Sequence, residues 1–318
     1  MARASQTAAS TVDVRFDYEP MLAAHPGACR FTTELGGANF HFPLWISSMT
    51  GGTRDARELN QTMARACAEF DLGMGLGSCR PMLEDPERHL VDFDVRDLMP
   101  GRPLFANLGI AQIERALENS GAVHRMVEQL RADGLIIHVN PLQEWFQPGG
   151  DVLRRAPLET ITRFLETAPY PVMVKEVGHG MGPASLRALM KLPLAAIEFA
   201  AYGGTNFSVL EARRAGEEAS GLTRVGHTAA DMVGYVRTLL ASGETFRCER
   251  FIVSGGVVDV LQGHHLIAQL PGRAVFGMAH AVLGRAQEGA EALRTFLTDQ
   301  RDTYAMAQAY LRPAQGAP

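Results

Sequence analysis

The chain is predicted to fold as a single parallel (β/α)8 barrel, a TIM barrel of the α/β class, on three observations. Eight short apolar runs follow one another from about residue 43 onward. Nearly all are apolar at both parities, as strands covered on both faces must be. Helix-period stretches such as "RDARELNQTMARACAEF" and "PLETITRFLETA" separate most of them. Eight strand–helix units in one unbroken series favour a closed barrel over an open doubly wound sheet.

In order, the runs are "PLWISSM" (43–49), "LGMGLGS" (72–78), "PLFANLGI" (103–110), "GLIIHVN" (134–140), "PVMVKEVG" (171–178), "LAAIEFAAY" (194–202), "FIVSGG" (251–256) and "AVFGMA" (274–279). The longest gap, 203–250, carries a Gly-rich loop and one clear helix, "AADMVGYVRTLLAS". The terminal "AVLGRAQEGAEALRTFLTDQRDTYAMAQAYL" is long enough for two helices that close the barrel. Residues 43–318 are assigned to one catalytic barrel domain and residues 1–42 to an N-terminal extension, partly disordered. A chain of 318 residues accommodates this plan.

Composition narrows the function. With 46% hydrophobic residues a sizeable core is available, and a net charge of −5 argues against nucleic-acid binding, which needs a basic surface. No apolar run approaches the roughly 20 residues of a membrane span. The first 20 residues lack the apolar core of a signal peptide and are expected to be a short disordered leader rather than a transit peptide. Cys29, Cys67, Cys79 and Cys248 lie far apart without a CxxC pair, so neither zinc nor a disulfide framework is expected. A cytoplasmic enzyme is the expectation.

The polar motifs follow the strands. "MTGGT", "GSCR", "ANLG", "HVNPLQE", "KEVGHG", "YGGT", "SGG" and "GMAH" each sit at the C-terminal end of a different run. In a parallel barrel those ends open on one face, where active sites are found. "SGG" and "GMA", after strands seven and eight, occupy the usual phosphate-binding place. There, glycines such as Gly255 and Gly256, followed by Ala279, admit close approach to backbone N–H groups. The alternative is two ordinary tight turns. Lys175 ends an apolar strand, so its ammonium must either pair with Glu176 or meet an anionic ligand. In flavin barrels a cation there stabilises charge on the reduced ring.

Thr50, Ser78, Asn107 and Thr205 are short hydrogen-bonding residues at four strand ends. They suit the rim of a broad flat ligand, and singly each could equally cap a helix. The densest group is His138, Asn140, Gln143 and Glu144. His138, neutral or cationic near pH 7, could serve a phosphate. Glu144 is the only carboxylate of the group, and it suits Mg2+, which keeps waters and substrate phosphates beside one or two carboxylates. The alternative is that all four cap a loop.

With these residues in place the chain resembles type 2 isopentenyl diphosphate isomerase, the FMN-dependent one. The matching motifs are "ISSMTGGT", "GMGLGSCR", "ANLG", "IHVNPLQEWFQPGGD", "VKEVGHG", "YGGT", "SGG" and "GMA", in order from about residue 43 to 280. The resemblance implies an FMN-binding barrel that interconverts isopentenyl and dimethylallyl diphosphate with reduced FMN, Mg2+ and NAD(P)H as reductant, assembled as a homo-oligomer (tetramer or octamer). It implies that Thr50, Ser78, Asn107, Lys175 and Thr205 hold FMN, with Gly255, Gly256 and Ala279 at its phosphate. Arg80, His138 and Asn140 would touch the substrate diphosphate, Gln143 would sit at the reacting carbons as the catalytic residue, and Glu144 would bind the metal.

The chain also departs from the family. It lacks an N-terminal Arg-Lys pair, has Val257 and Val258 where an Arg often follows "SGG", His280 where an Arg is common, and Cys79 where Gln is usual. The competing expectations are a related FMN barrel acting on another prenyl or acyl substrate, and a catalytically silent barrel.

Overall fold

Eight parallel strands close into a barrel in the computed structural model of the protein, which describes residues 8–27, 31–49, 54–216 and 221–314. They are β1 (Leu44–Ile46), β2 (Gly73–Gly75), β3 (Leu104–Gly109), β4 (Gly134–His138), β5 (Val172–Lys175), β6 (Ala196–Glu198), β7 (Phe251–Ser254) and β8 (Ala274–Met278). Each lies within one of the eight predicted runs. β8 returns to β1 through the pairs Phe276↔Leu44 and Met278↔Ile46, which closes the circle.

Period-two geometry sorts every strand into an outer and an inner row. Leu44 and Ile46, Leu104, Ala106 and Leu108, and Leu135 and Ile137 face outward into the large core under the helices. That layer is met by helical stripes such as Met63, Ala64, Cys67 and Phe70 of helix Arg54–Phe70. The inner row begins with an apolar plug of Trp45, Phe105, Ile136, Met173, Ala196, Ile252 and Val275. Two residues further along the same strands come Ser47, Asn107, His138, Lys175, Glu198, Ser254 and Gly277. The barrel interior is therefore apolar at its base and polar one layer up.

A hairpin seals the base. Thr33–Leu35 pairs with Ala38–Phe40, and Leu35 and Phe40 join the plug against Trp45. Its two-residue turn holds Gly36 at φ +61° and Gly37 at φ +83°, the left-handed pair a tight hairpin demands. Phe16–Tyr18 pairs antiparallel with Leu311–Pro313, tying the early segment to the end of the last long helix, Ala290–Tyr310.

Among its described residues the gap 203–250 holds a second α-helix, besides the one its sequence indicated, and a short 3-10 turn, Gly221–Arg224. Helix Phe207–Arg214 follows the glycines, started by Asn206, whose side chain accepts from Val209 N at 3.0 Å. The anticipated helix is Ala229–Ala241, opened by a reciprocal Thr228–Asp231 capping box. The two closing helices are His280–Glu288 and Ala290–Tyr310.

Candidate active site

A cavity of about 540 Å3 opens at the C-terminal ends of the strands. Lys175, Thr205, Gly255, Gly256 and Ala279, five of the residues predicted from the sequence, line it together. Ser47, Ser48, Glu198, Ser254 and His280 line it as well. Thr50 lies outside the described residues.

Backbone geometry builds one end. Gly255 and Gly256 have φ of +87° and +73°, and a Cβ on Gly255 would collide with the backbone of Ala201. The Gly203–Gly204 turn packs directly on them: a Cβ on Gly204 would lie 3.0 Å from Gly256 N. Two glycine turns thus touch backbone to backbone, leaving a cradle that no side chain fills, with helix His280–Glu288 starting beside it. This is an arrangement suited to a phosphate. Ala200, also in the lining, sits at φ +41°, a strained conformation for alanine.

The floor is polar and undersupplied with partners. The side-chain oxygens Ser47 Oγ, Ser48 Oγ and Glu198 Oε2 are buried without a hydrogen-bond partner. Lys175, 5% exposed, donates to the backbone carbonyl of Glu176 at 2.8 Å. The Glu176 carboxylate does not pair with it. Its Oε2 accepts from the amides of Gly178, His179 and Gly180 at 2.7, 2.6 and 3.0 Å, closing the loop after β5. The sequence left the lysine with two options, and the structure removes the ion pair with Glu176. Burial pushes the Glu176 carboxyl up, against the pull of those amides.

Beside the cavity, on β3, β4 and the segment that follows β4, lies the second predicted group, none of which lines the cavity itself. Asn107 Nδ2 donates to Leu76 O at 3.0 Å, which turns Oδ1 toward His138 Nδ1 at 2.8 Å. His138 must therefore carry its proton on Nδ1 and present a bare lone pair at Nε2. Burial, then the nearby Lys175 charge, bring its pKa down to about 3. Of the two protonation states the sequence allowed, the structure selects the neutral one.

Asn140, at the start of the short helix Pro141–Phe146, is 2% exposed. Its Nδ2 bonds Glu144 Oε1 at 2.8 Å and Gln143 Oε1 at 3.3 Å, while Oδ1 has no partner. Glu144 Oε2 accepts from Asp151 N at 2.7 Å, and Asp151 is held by Gln112 and Arg115. Three of the four polar residues of "HVNPLQE", Asn140, Gln143 and Glu144, thus do brace the loop that ends at Asp151, while His138 is tied to Asn107 instead. Among the described residues no group of three or more His, Cys, Asp or Glu side chains could hold a metal ion. A lone carboxylate beside an unpartnered amide oxygen is a donor set for a hydrated ion shared with a ligand's phosphates.

Two predicted residues stand apart. Arg80 pairs with Glu84 at 3.0 Å, and both are exposed. Ser78 is partly buried at the β2 end and does not line the cavity. Glu198 and Ser254 were missed from the sequence. Their signal was present: a carboxylate inside the apolar run "LAAIEFAAY" and a serine two places after Ile252 both fall on the inner row.

No protein-family model matches the chain. It is 36% identical over 263 residues to the isopentenyl-diphosphate delta-isomerase of Cronobacter sakazakii, covering 82% of this chain and 74% of that protein. To the protein of the same name from Deinococcus radiodurans it is 33% identical over 294 residues, 91% of this chain and 84% of that one. Among solved structures, a flavocytochrome b2 mutant with benzoylformate superposes with a TM-score of 0.65 at 13% identity, over 96% of this chain and 79% of that one. A mandelate oxidase mutant with a monooxide FMN adduct gives a TM-score of 0.58 at 14% identity, over 93% and 83%. At such identity these two speak for the barrel fold alone.

Proposed function

The chain belongs to the isopentenyl-diphosphate delta-isomerase family, in its type 2 barrel form, and we propose that it interconverts isopentenyl and dimethylallyl diphosphate using reduced FMN, Mg2+ and NAD(P)H as reductant. The observation that carries this reading is a cavity with a glycine cradle at one end and unpartnered polar atoms along its floor. Such a site suits a flat heteroaromatic ring that carries a phosphate tail. The mandelate oxidase that shares the barrel fold carries an FMN adduct, so the fold itself can accommodate such a ligand.

In this proposal Gly255, Gly256 and Ala279 receive the FMN phosphate and Thr205 lies at the rim, while Ser78, outside the lining, would reach the flavin only from the β2 end. Lys175 places its cation at the ring, where it opposes build-up of negative charge. Asn107 has its amide committed to Leu76 and His138, so it serves the site by fixing the imidazole. When bound, reduced FMN would supply the proton-transferring centre of a reaction with no net redox change. Gln143 holds the reacting carbons in place, and Glu144 binds Mg2+ on the substrate diphosphate. Asn140 Oδ1 and neutral His138 Nε2 are both acceptors, so they would face the diphosphate through a bridging donor rather than bond its oxygens directly. Freshly purified protein should be yellow. After chemical reduction it should convert isopentenyl diphosphate in the presence of Mg2+, and a colourless, inactive protein would end this reading.

One observation favours a second substrate. Lys175 is the only lysine or arginine among the described residues lining the cavity, and Arg80 is occupied by Glu84. A diphosphate left without cationic clamps loses about 1.5–3 kcal/mol per missing charge-assisted bond. Another prenyl or acyl substrate would then be preferred, and flavin binding without useful isopentenyl diphosphate turnover would point there.

A further inference from the structure

Glu198 is the one carboxylate among the described residues that line the cavity, and it is 1% exposed. Its two oxygens have different surroundings. Oε1 accepts from Ser254 Oγ at 3.0 Å, and Ser254 Oγ in turn accepts from Ala200 N at 3.0 Å. That relay holds the strained Ala200, and one oxygen suffices for it. Oε2 is buried with no partner at all.

The cation that would ordinarily answer it is next door. Glu198 and Lys175 are register partners on adjacent strands, both on the inner row. Yet no described carboxylate comes within 4.0 Å of the Lys175 ammonium, which bonds a backbone carbonyl instead. A buried acceptor and a buried cation that do not satisfy each other need a third party. It must offer an acceptor to Lys175 and a donor to Glu198 close together on one edge, since the two residues are register partners on neighbouring strands. The pyrimidine edge of an isoalloxazine has that pattern: one N–H, at N3, flanked by two carbonyl oxygens.

We propose that Glu198 Oε2 accepts the N3–H of the flavin, as a positioning residue that sets the ring's orientation, while Lys175 serves the carbonyl beside it. Ser47 and Ser48 hydroxyls can donate or accept and so cannot enforce one orientation. A carboxylate oxygen, which only accepts, standing beside an ammonium, which only donates, can. This assignment rests on the flavin reading of the same cavity and goes beyond it by naming which atom reads which edge.

The experiment titrates the apoprotein with oxidised FMN and with its N3-methyl analogue, followed by flavin fluorescence, for the wild type and for Glu198→Ala. The wild type should bind the methylated flavin about tenfold or more weakly, the worth of one hydrogen bond to a charged group. In Glu198→Ala most of that discrimination should vanish. Undiminished discrimination in the variant, or equal affinities in the wild type, overturns the assignment while leaving FMN binding intact. Failure of the wild type to bind FMN at all overturns the flavin reading and this one with it. Should Glu198→Ala not fold, Glu198→Gln keeps the volume and one acceptor. Removing the negative charge should raise the reduction potential of bound FMN, opposite to Lys175→Ala, and a shift of the same sign in both variants refutes the charge arrangement.

Discussion

Lys175 and Glu176 are chain neighbours of opposite charge that do not pair: the ammonium bonds the Glu176 backbone carbonyl at 2.8 Å, and the carboxylate closes on the amides of residues 178–180. The reason is chain direction. Consecutive strand residues point to opposite sides, so the lysine faces the cavity and the glutamate leaves the barrel with the loop.

From this follows the expected behaviour of Lys175→Ala. FMN affinity should fall by about tenfold, the worth of a charge-assisted bond, and reduced flavin should be harder to form. Thermal stability should change little, because no ion pair is broken. Equilibrium dialysis and a potentiometric titration measure the two effects, and unchanged values in both would remove Lys175 from the flavin site.

Glu176→Ala should behave in the reverse way. Three backbone N–H groups lose their acceptor in a buried turn, and a loss of about 3 kcal/mol is expected. Glu176→Gln can still present one oxygen to all three and should recover most of it. Chemical denaturation of the three proteins separates these outcomes, and equal stability of wild type and Glu176→Ala would mean that water replaces the carboxylate.

These two residues also mark what could be read from the chain alone. The eight strands were legible because a strand buried on both faces writes a continuous apolar run, and the site was legible because polar motifs end those runs. Hydrogen-bond commitments were not. Nothing in "VKEVGHG" says that the glutamate folds back on Gly178, and nothing in "ANLG" says that Asn107 spends its amide on Leu76 and His138. Glu198 was passed over although a carboxylate inside an apolar run signals a need for a partner; that it faces the cavity follows from the register of the closed barrel. The hairpin at 33–40 was read as part of an extension because the plug it joins includes residues far away in sequence, such as Phe105 and Ile252.

Acid stability should be governed partly by His264. Its ring stacks on Phe16 and meets Tyr304 edge-on, with neither nitrogen hydrogen-bonded. Burial, then His265 and Arg312, bring its pKa from 6.5 to about 4. The unfolded chain therefore binds a proton below pH 6.5 that the folded chain refuses. Its contribution to stability is intact above pH 6.5 and is lost as pH falls toward 4, by about 3 kcal/mol at roughly 1.4 kcal/mol per pH unit. His138, with a pKa of about 3, adds a similar slope. His264→Phe should flatten the fall between pH 6.5 and 4 in denaturant melts, and an unchanged slope would show that this histidine protonates freely in the native state.

The last prediction concerns Gln143 and Glu144, adjacent residues assigned different work. Glu144 accepts from Asn140 with one oxygen and from Asp151 N with the other, so it braces the loop before any metal arrives. Glu144→Gln keeps the size but replaces one acceptor with a donor, costing about 1 kcal/mol of stability. If it also binds Mg2+, loss of the charge should raise the Mg2+ and substrate requirement, and excess Mg2+ should restore part of the activity. Gln143 is partly buried and receives only a 3.3 Å contact from Asn140. Gln143→Ala should therefore melt like the wild type and bind substrate nearly as well. It should turn over more slowly, because only placement in the transition state suffers. Steady-state kinetics across a Mg2+ titration, with melts alongside, resolves the two. Rescue of the Glu144 variant alone supports the split roles. Identical kinetic behaviour in both variants, with a stability loss well beyond 1 kcal/mol in each, would mean that the cluster is a loop brace and nothing more.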